Sequence, residues 1–172
     1  MLFSCISEAQ IETITDQEWK EDLRFFRDEL AKEHINPFHY TAQLNMNGEI
    51  ADYLDRTDSL KVWQRRVALM RLTALVGDGH TFVEWWTFPF SHFPFQLYDF
   101  QDGLRVVGAV DEKYLGAQIL EINGYGIALI KERLNRVISQ GESRTYIQDR
   151  WALFTERAEI LQCLEIIEDI KQ

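Results

Sequence analysis

Helical periodicity runs through the first part of this chain and breaks at Gly77, Asp78, Gly79, His80, Thr81. Upstream, Ser59 to Val76 carries Leu60, Trp63, Val67, Met70 and Leu75 at helical spacing, with Thr57 or Asp58 as the candidate cap. Gly77 can take the left-handed conformation that ends such a helix. Downstream, Thr81 to Trp86 is β-branched and aromatic, which predicts an extended segment. The ionisable His80 therefore falls at a helix-to-strand corner, where side chains project into clefts. Two readings of it stand side by side. Either its ring bonds nearby backbone while Asp78 and Thr81 form the turn, or it belongs to a functional site.

The same patterns divide the rest of the chain. Thr15, Asp16, Gln17 and Glu18 form a capping box ahead of Trp19, Leu23, Phe26 and Leu30, so a first helix starts there and stops before Pro37. A short helix is expected near Glu49 to Leu54. From Phe82 to Phe100 the chain holds Phe82, Trp85, Trp86, Phe88, Phe90, Phe93, Phe95, Tyr98 and Phe100. Rings this dense glue a helical layer to a following sheet, a reading set against a carbohydrate or base-stacking platform. Phe93 to Phe100 and Leu104 to Val110 read as strands joined through Asp102 and Gly103, a hairpin signal. A third strand, Ala117 to Ile122, ends in Asn123 and Gly124, and a helix covers Ala128 to Ile138. Thr145 to Ile170 reads as one last helix whose Ile166, Ile167 and Ile170 make an apolar surface that something should cover. The expected fold is α+β: a helical bundle over 1–87, a small sheet-and-helix domain over 88–140, and a helical connector over 141–172.

Composition sets limits on function. With 172 residues, 46% hydrophobic and 27% charged, the chain is too apolar for disorder. A formal net charge of −10 repels phosphate backbones and anionic lipid, so neither nucleic acid nor a membrane is an expected partner. No apolar run reaches the roughly 18 residues of a membrane span. Met1 to Ile11 lacks both a basic n-region and an apolar run of signal-peptide length, so the default compartment is the cytoplasm. Cys5 and Cys163 fit no disulfide framework or metal-ligand spacing. His34, His39, His80 and His92 are scattered, with Pro37 breaking any helix that would align the first pair, and no metal or other cofactor is expected. Ser91, Ser139 and Ser143 lie in no nucleophile elbow or Ser-x-x-Lys setting, which argues against self-contained serine catalysis.

Several stretches, in order, resemble the N-terminal half of the tail-specific, or C-terminal processing, serine peptidases, the family that includes the catalytic core of the tricorn protease. Trp19, Glu21, Asp22, Leu23 is similar to the family's opening helix, and His34, Asn36, Pro37, Phe38 to the turn after it. Ala74 to Thr81 resembles its Gly-Asp-Gly-His-Thr signature. Phe93, Pro94, Phe95, then Gly103 to Val107, then Leu115 to Gly124 with its Ile-Leu-x-Ile-Asn-Gly run, resemble the PDZ-like domain of these peptidases.

The resemblance implies that His80 is similar to the general base that activates a serine on a further α/β domain. That domain would be supplied beyond these residues or by another chain. Two residues along a tight turn rarely bring a carboxylate against its neighbour's ring, so Asp78 is expected to shape the loop rather than orient His80. The PDZ-like part implies a groove where a peptide C-terminus adds as a strand beside Phe95 to Tyr98, with Phe95, Leu97 and Leu134 as substrate-binding residues. Ser91, His92, Phe93, Pro94 stands where peptide-binding members have a glycine-containing carboxylate loop, and Pro94 removes one donor. Implied partners are a peptide or protein C-terminus and a C-terminal peptidase domain, with a homo-oligomer through the apolar C-terminal helix as a further expectation. Members of the family often work outside the cytoplasm. The rival class is a non-catalytic peptide-binding or scaffold protein derived from the same family.

Overall fold

Thr15 opens helix α1 (Asp16–Glu33). Its hydroxyl accepts from the Glu18 N–H at 3.2 Å, and the Glu18 carboxylate accepts from the Thr15 N–H at 2.7 Å. The Thr15 backbone bond first, and its hydroxyl second, hold the Glu18 carboxyl below its ordinary range. The computed structural model describes residues 14–139 and 143–168. Among these residues the architecture is α+β, with six α-helices and two small two-stranded antiparallel sheets.

Leu23 and Leu30 of α1 share a core with Met46, Ile50 and Tyr53 of α2 (Gln43–Arg56), which is longer than the short helix expected there. Helix α3 (Val62–Ala74) begins later than the sequence predicts. Thr57 to Ser59 turns as a 3-10 segment, and the start of α3 is held by the Gln64 amide oxygen, which accepts from the Lys61 N–H at 2.8 Å. Arg65 is buried here with partners for its charge: it donates to the Leu60 carbonyl at 3.1 Å and to Asp16 at 2.5 Å, fixing α3 to the start of α1.

Helix α3 is apolar on two sides and separates two cores. Ala68 and Leu72, with Val76 just past the helix end, join Leu23, Leu30, Met46, Ile50 and Tyr53 in the first. Val67 and Met70 face the second, which holds Trp85, Phe90, Ile130, Leu134, Phe154, Ile160, Leu161 and Ile166. That core draws residues from all three expected segments. The extended run expected over Thr81 to Trp86 is absent; Trp85 to Thr87 forms a 3-10 turn instead. β-propensity without a neighbouring strand yields to packing, and the turn sets Trp85 edge-on against Phe154 at 5.0 Å.

Strands β1 (Phe95–Phe100) and β2 (Gly103–Ala109) form the expected hairpin through Asp102 and Gly103. Gly103 has φ +136°, and a Cβ there would strike the Gln118 side chain. The third strand is mostly irregular. Residues 116–119 hydrogen-bond along β2, through Val106 to Ala117 at 2.9 Å and Ile119 to Leu104 at 2.8 Å, before the short pair β3 (Glu121–Ile122) and β4 (Tyr125–Gly126). Asn123 (φ 51°) and Gly124 (φ 80°) make the turn between them, both left-handed as a tight hairpin of this kind requires. Helix α4 (Ile127–Leu134) follows, shorter than predicted.

The single C-terminal helix expected from 145 to 170 is two helices, α5 (Arg144–Thr155) and α6 (Ala158–Cys163). Arg157 is extended between them, and its backbone pairs with His92. Tertiary pairing overrides helix propensity there: Phe93 donates to the Glu156 carbonyl at 3.0 Å and Ala158 to the Ser91 carbonyl at 3.2 Å. The Glu159 carboxylate accepts from the Ser91 N–H at 2.8 Å and from the Ser91 hydroxyl at 2.9 Å. Leu164 and Ile166 are buried in the second core and Ile167 packs against it partly buried; Ile170 lies outside the described residues. Cys163 is half-buried, and burial first and the Glu159 charge second push its thiol up to about 12, so it stays protonated at neutral pH. Cys5 lies outside the described residues.

Glu159→Ala leaves the Ser91 N–H without its acceptor in a site with 6% exposure at residue 159. Urea unfolding should show a loss of about 1–3 kcal/mol, whereas Glu132→Ala on the exposed face of α4 should stay within about 0.5 kcal/mol of the parent protein.

Candidate functional site

His80 lies on an open cleft of about 850 Å³, formed where the end of α1 meets the loop after α3. One wall is Glu33 to Asn36 with His39, and the other is Gly77 to Thr81. Gly77 has φ +74°, and a Cβ on it would run into the Tyr40 side chain, so both strain and space require glycine at the corner.

Asp78 organises this corner. Its Oδ1 accepts from the His80 N–H at 2.9 Å, an Asx turn, and its Oδ2 accepts from the Thr81 hydroxyl at 3.2 Å. The same Oδ2 lies 3.1 Å from His34 Nε2. His34 Nδ1 accepts from the Asn36 N–H at 3.1 Å, so the neutral ring carries its proton on Nε2 and donates it to Asp78. The His80 N–H first, and His34 second, hold the Asp78 carboxyl below its ordinary range. As expected, Asp78 shapes the loop and does not orient the His80 ring.

The histidines of the cleft thus have different duties. Both nitrogens of His34 are committed to structure. His39 donates from Nδ1 to the Asn36 carbonyl at 2.8 Å, which leaves Nε2 as its acceptor. His80 is exposed, and among the described residues its ring nitrogens have no hydrogen-bond partner. His92 stands elsewhere, its Nδ1 2.7 Å from Arg157 Nη1; burial first and the Arg157 charge second lower its pKa. No group of three or more His, Cys, Asp or Glu side chains among the described residues is placed to hold a metal ion.

The hydroxyl that the described cleft residues offer, on Thr81, is directed to Asp78. The serines considered as nucleophiles are also engaged: Ser91 on Glu159, Ser139 on the Thr81 carbonyl at 2.7 Å, and Ser143 as the cap of α5. The cleft therefore presents imidazole bases and a carboxylate, and no activated nucleophile among the described residues.

The three residues expected to bind substrate are dispersed. Phe95 is half-buried with its ring against Tyr114 at 5.6 Å. Leu97 is half-buried, and its N–H donates to the Glu156 carboxylate at 2.7 Å. Leu134 is fully buried in the second core and lines no surface. A peptide adding at β1 would need backbone groups that the α5–α6 corner already engages, and the segment standing where a carboxylate loop is expected holds the Glu159 carboxylate. Along the expected groove the chain itself thus engages the Leu97 N–H. Neither glutamate carries a local sequence signal for this role. His34, Asn36 and His39 carry a faint one, as polar residues grouped around the Pro37 that ends a helix.

Compared with family models, with curated proteins and with solved structures, the chain matches none.

Asp78→Ala removes three hydrogen bonds to a carboxylate and should cost about 1–3 kcal/mol at pH 7. Because the folded carboxyl titrates below its ordinary value of 3.8, its contribution is complete above that pH and disappears as pH falls through the lower, folded value. Urea unfolding of Asp78→Ala and the parent protein should differ at pH 7 and converge under acid conditions.

Proposed function

We propose that this chain is the non-nucleophile portion of a serine endopeptidase acting on peptide or protein tails. It contributes His80 as general base to a serine supplied by a further domain, in cis or in trans. One observation carries the reading. His80 is exposed on a loop fixed by the Asp78 network, in an open cleft, with its ring nitrogens unpartnered among the described residues. A side chain kept only to bond its own backbone would have its ring engaged, as His34 does. The Gly-Asp-Gly-His-Thr resemblance supports the same assignment.

In this reading a neutral imidazole at His80 takes the serine proton as the oxygen attacks the scissile carbonyl, then returns it to the leaving amine. The group that orients the imidazole would arrive with the serine, since Asp78 is turned toward the His80 backbone and His34. In this reading the nucleophile-bearing domain would close the open side of the cleft, opposite the two walls that this chain supplies. The Asp78 network keeps His80 positioned without that domain.

The test is labelling by a fluorophosphonate of the protein expressed in its own host and recovered through an affinity tag. A labelled serine should be recovered in the same polypeptide or in one that stays bound to it. In His80→Ala the labelling rate should fall by a factor of about 10² to 10⁴, the range general-base catalysis supplies. Absence of label, or labelling that His80→Ala leaves unchanged, overturns the reading.

A further inference from the structure

The α5–α6 corner holds an ionisable ring that the proposed peptidase chemistry does not use. His92 meets Arg157 in two ways. Its backbone pairs with that of Arg157 as an antiparallel bridge, and its ring Nδ1 lies 2.7 Å from Arg157 Nη1. A guanidinium has donors only, so Nδ1 accepts and the neutral ring carries its proton on Nε2. That contact exists for one protonation state alone. An imidazolium would set a second N–H against the Arg157 N–H, donor against donor and cation against cation.

Arg157 has little freedom to withdraw. Its side chain is 11% exposed, lies over the Trp85 ring at 5.7 Å, and pairs with the Glu156 carboxylate at 3.4 Å. Glu156 is in turn committed to the Leu97 N–H at 2.7 Å, and Glu159 to the Ser91 N–H and hydroxyl. These two carboxylates favour a charged His92, whereas burial and the Arg157 guanidinium oppose it. Burial first and Arg157 second prevail, so the ring titrates below its ordinary 6.5. His92 itself is exposed, and a proton reaches it without prior unfolding. His34 differs in kind, because its ring faces the Asp78 carboxylate, which a positive charge would attract.

We infer that the His92–Arg157 pair is a proton-operated latch on the α5–α6 corner, closed while His92 is neutral and open once it is charged. A group whose folded pKa is lowered contributes stability that is complete above its ordinary value and is lost as pH falls through the folded one. The latch is therefore closed at pH 7 and opens in mild acid. The bonds it guards cross the joint: Phe93 N–H to the Glu156 carbonyl at 3.0 Å, Ala158 N–H to the Ser91 carbonyl at 3.2 Å, and Leu97 N–H to the Glu156 carboxylate. Opening frees the Phe93 and Leu97 N–H groups and moves Arg157 off the Trp85 ring.

The test follows the ¹⁵N-labelled protein from about pH 8 to about pH 5, the window in which histidine changes charge. The His92 ring signals should titrate with a midpoint below 6.5. Hydrogen exchange at Phe93 and Ala158, corrected for its intrinsic pH dependence, should lose protection over the same range. The loss should reach about tenfold per pH unit, as uptake of one proton on opening requires. The Trp85 indole signal should move with the same midpoint. His92→Asn, at an exposed position, keeps a side-chain acceptor and cannot be charged, so its protection should stay flat across the window. A His92 midpoint at or above 6.5, protection that stays constant while His92 titrates, or a pH response that His92→Asn retains overturns the inference. The first two of these outcomes are read from the parent protein and do not depend on the variant.

Discussion

The rest of the structure depends on the docking of the α5–α6 corner onto the segment from Ser91 to Leu97. Three charged residues are taken out of water there: Glu156, Arg157 and Glu159 are each less than a tenth exposed. Such burial is tolerated only when every charge has partners. Glu159 has the Ser91 N–H and hydroxyl, Glu156 has the Leu97 N–H, and Arg157 has Glu156, His92 and the face of Trp85 at 5.7 Å. These bonds end one helix, start the next and place Ile160 and Leu161 in the core. They also engage the Leu97 N–H on the outer edge of the hairpin.

Helix α3 transmits this arrangement to the functional cleft. One side of it packs on α1 and α2, and the other on the core that the α5–α6 corner closes. Its C-terminal end is thereby fixed from both directions, and the loop it feeds leaves at a defined angle through Gly77. Asp78 then joins that loop to the end of α1. At its far end the Thr81 carbonyl accepts from the Ser139 hydroxyl, so the loop that carries His80 is held by hydrogen bonds to Asp78 and to Ser139.

Features with local causes were legible in the sequence. The Thr15 capping box, the helical stripes of α1 and α3, and the Asp102-Gly103 and Asn123-Gly124 turns each follow from a few adjacent residues, and the structure has all of them. The misjudged elements were those whose conformation is decided at long range. Thr81 to Trp86 has strand-forming residues but no strand to pair with, so Trp85 turns into the core. The run from 145 to 170 is helical by composition but breaks at Arg157, because the Ser91 to Phe93 backbone claims the groups a continuous helix would use. The aromatic run split between the two outcomes: Trp85 and Phe90 are buried as glue, while Phe82 and Trp86 remain at the mouth of a cavity.

By itself the sequence determined where the chain turns and which residue there can carry a proton, because glycine's backbone freedom, the Asx turn of Asp78 and the chemistry of imidazole are local properties. Only the tertiary structure decided what surrounds that residue. His34 binds Asp78 across 44 positions and Glu159 binds Ser91 across 68. Contacts between residues so far apart are set by how the cores pack, and no spacing along the chain encodes them.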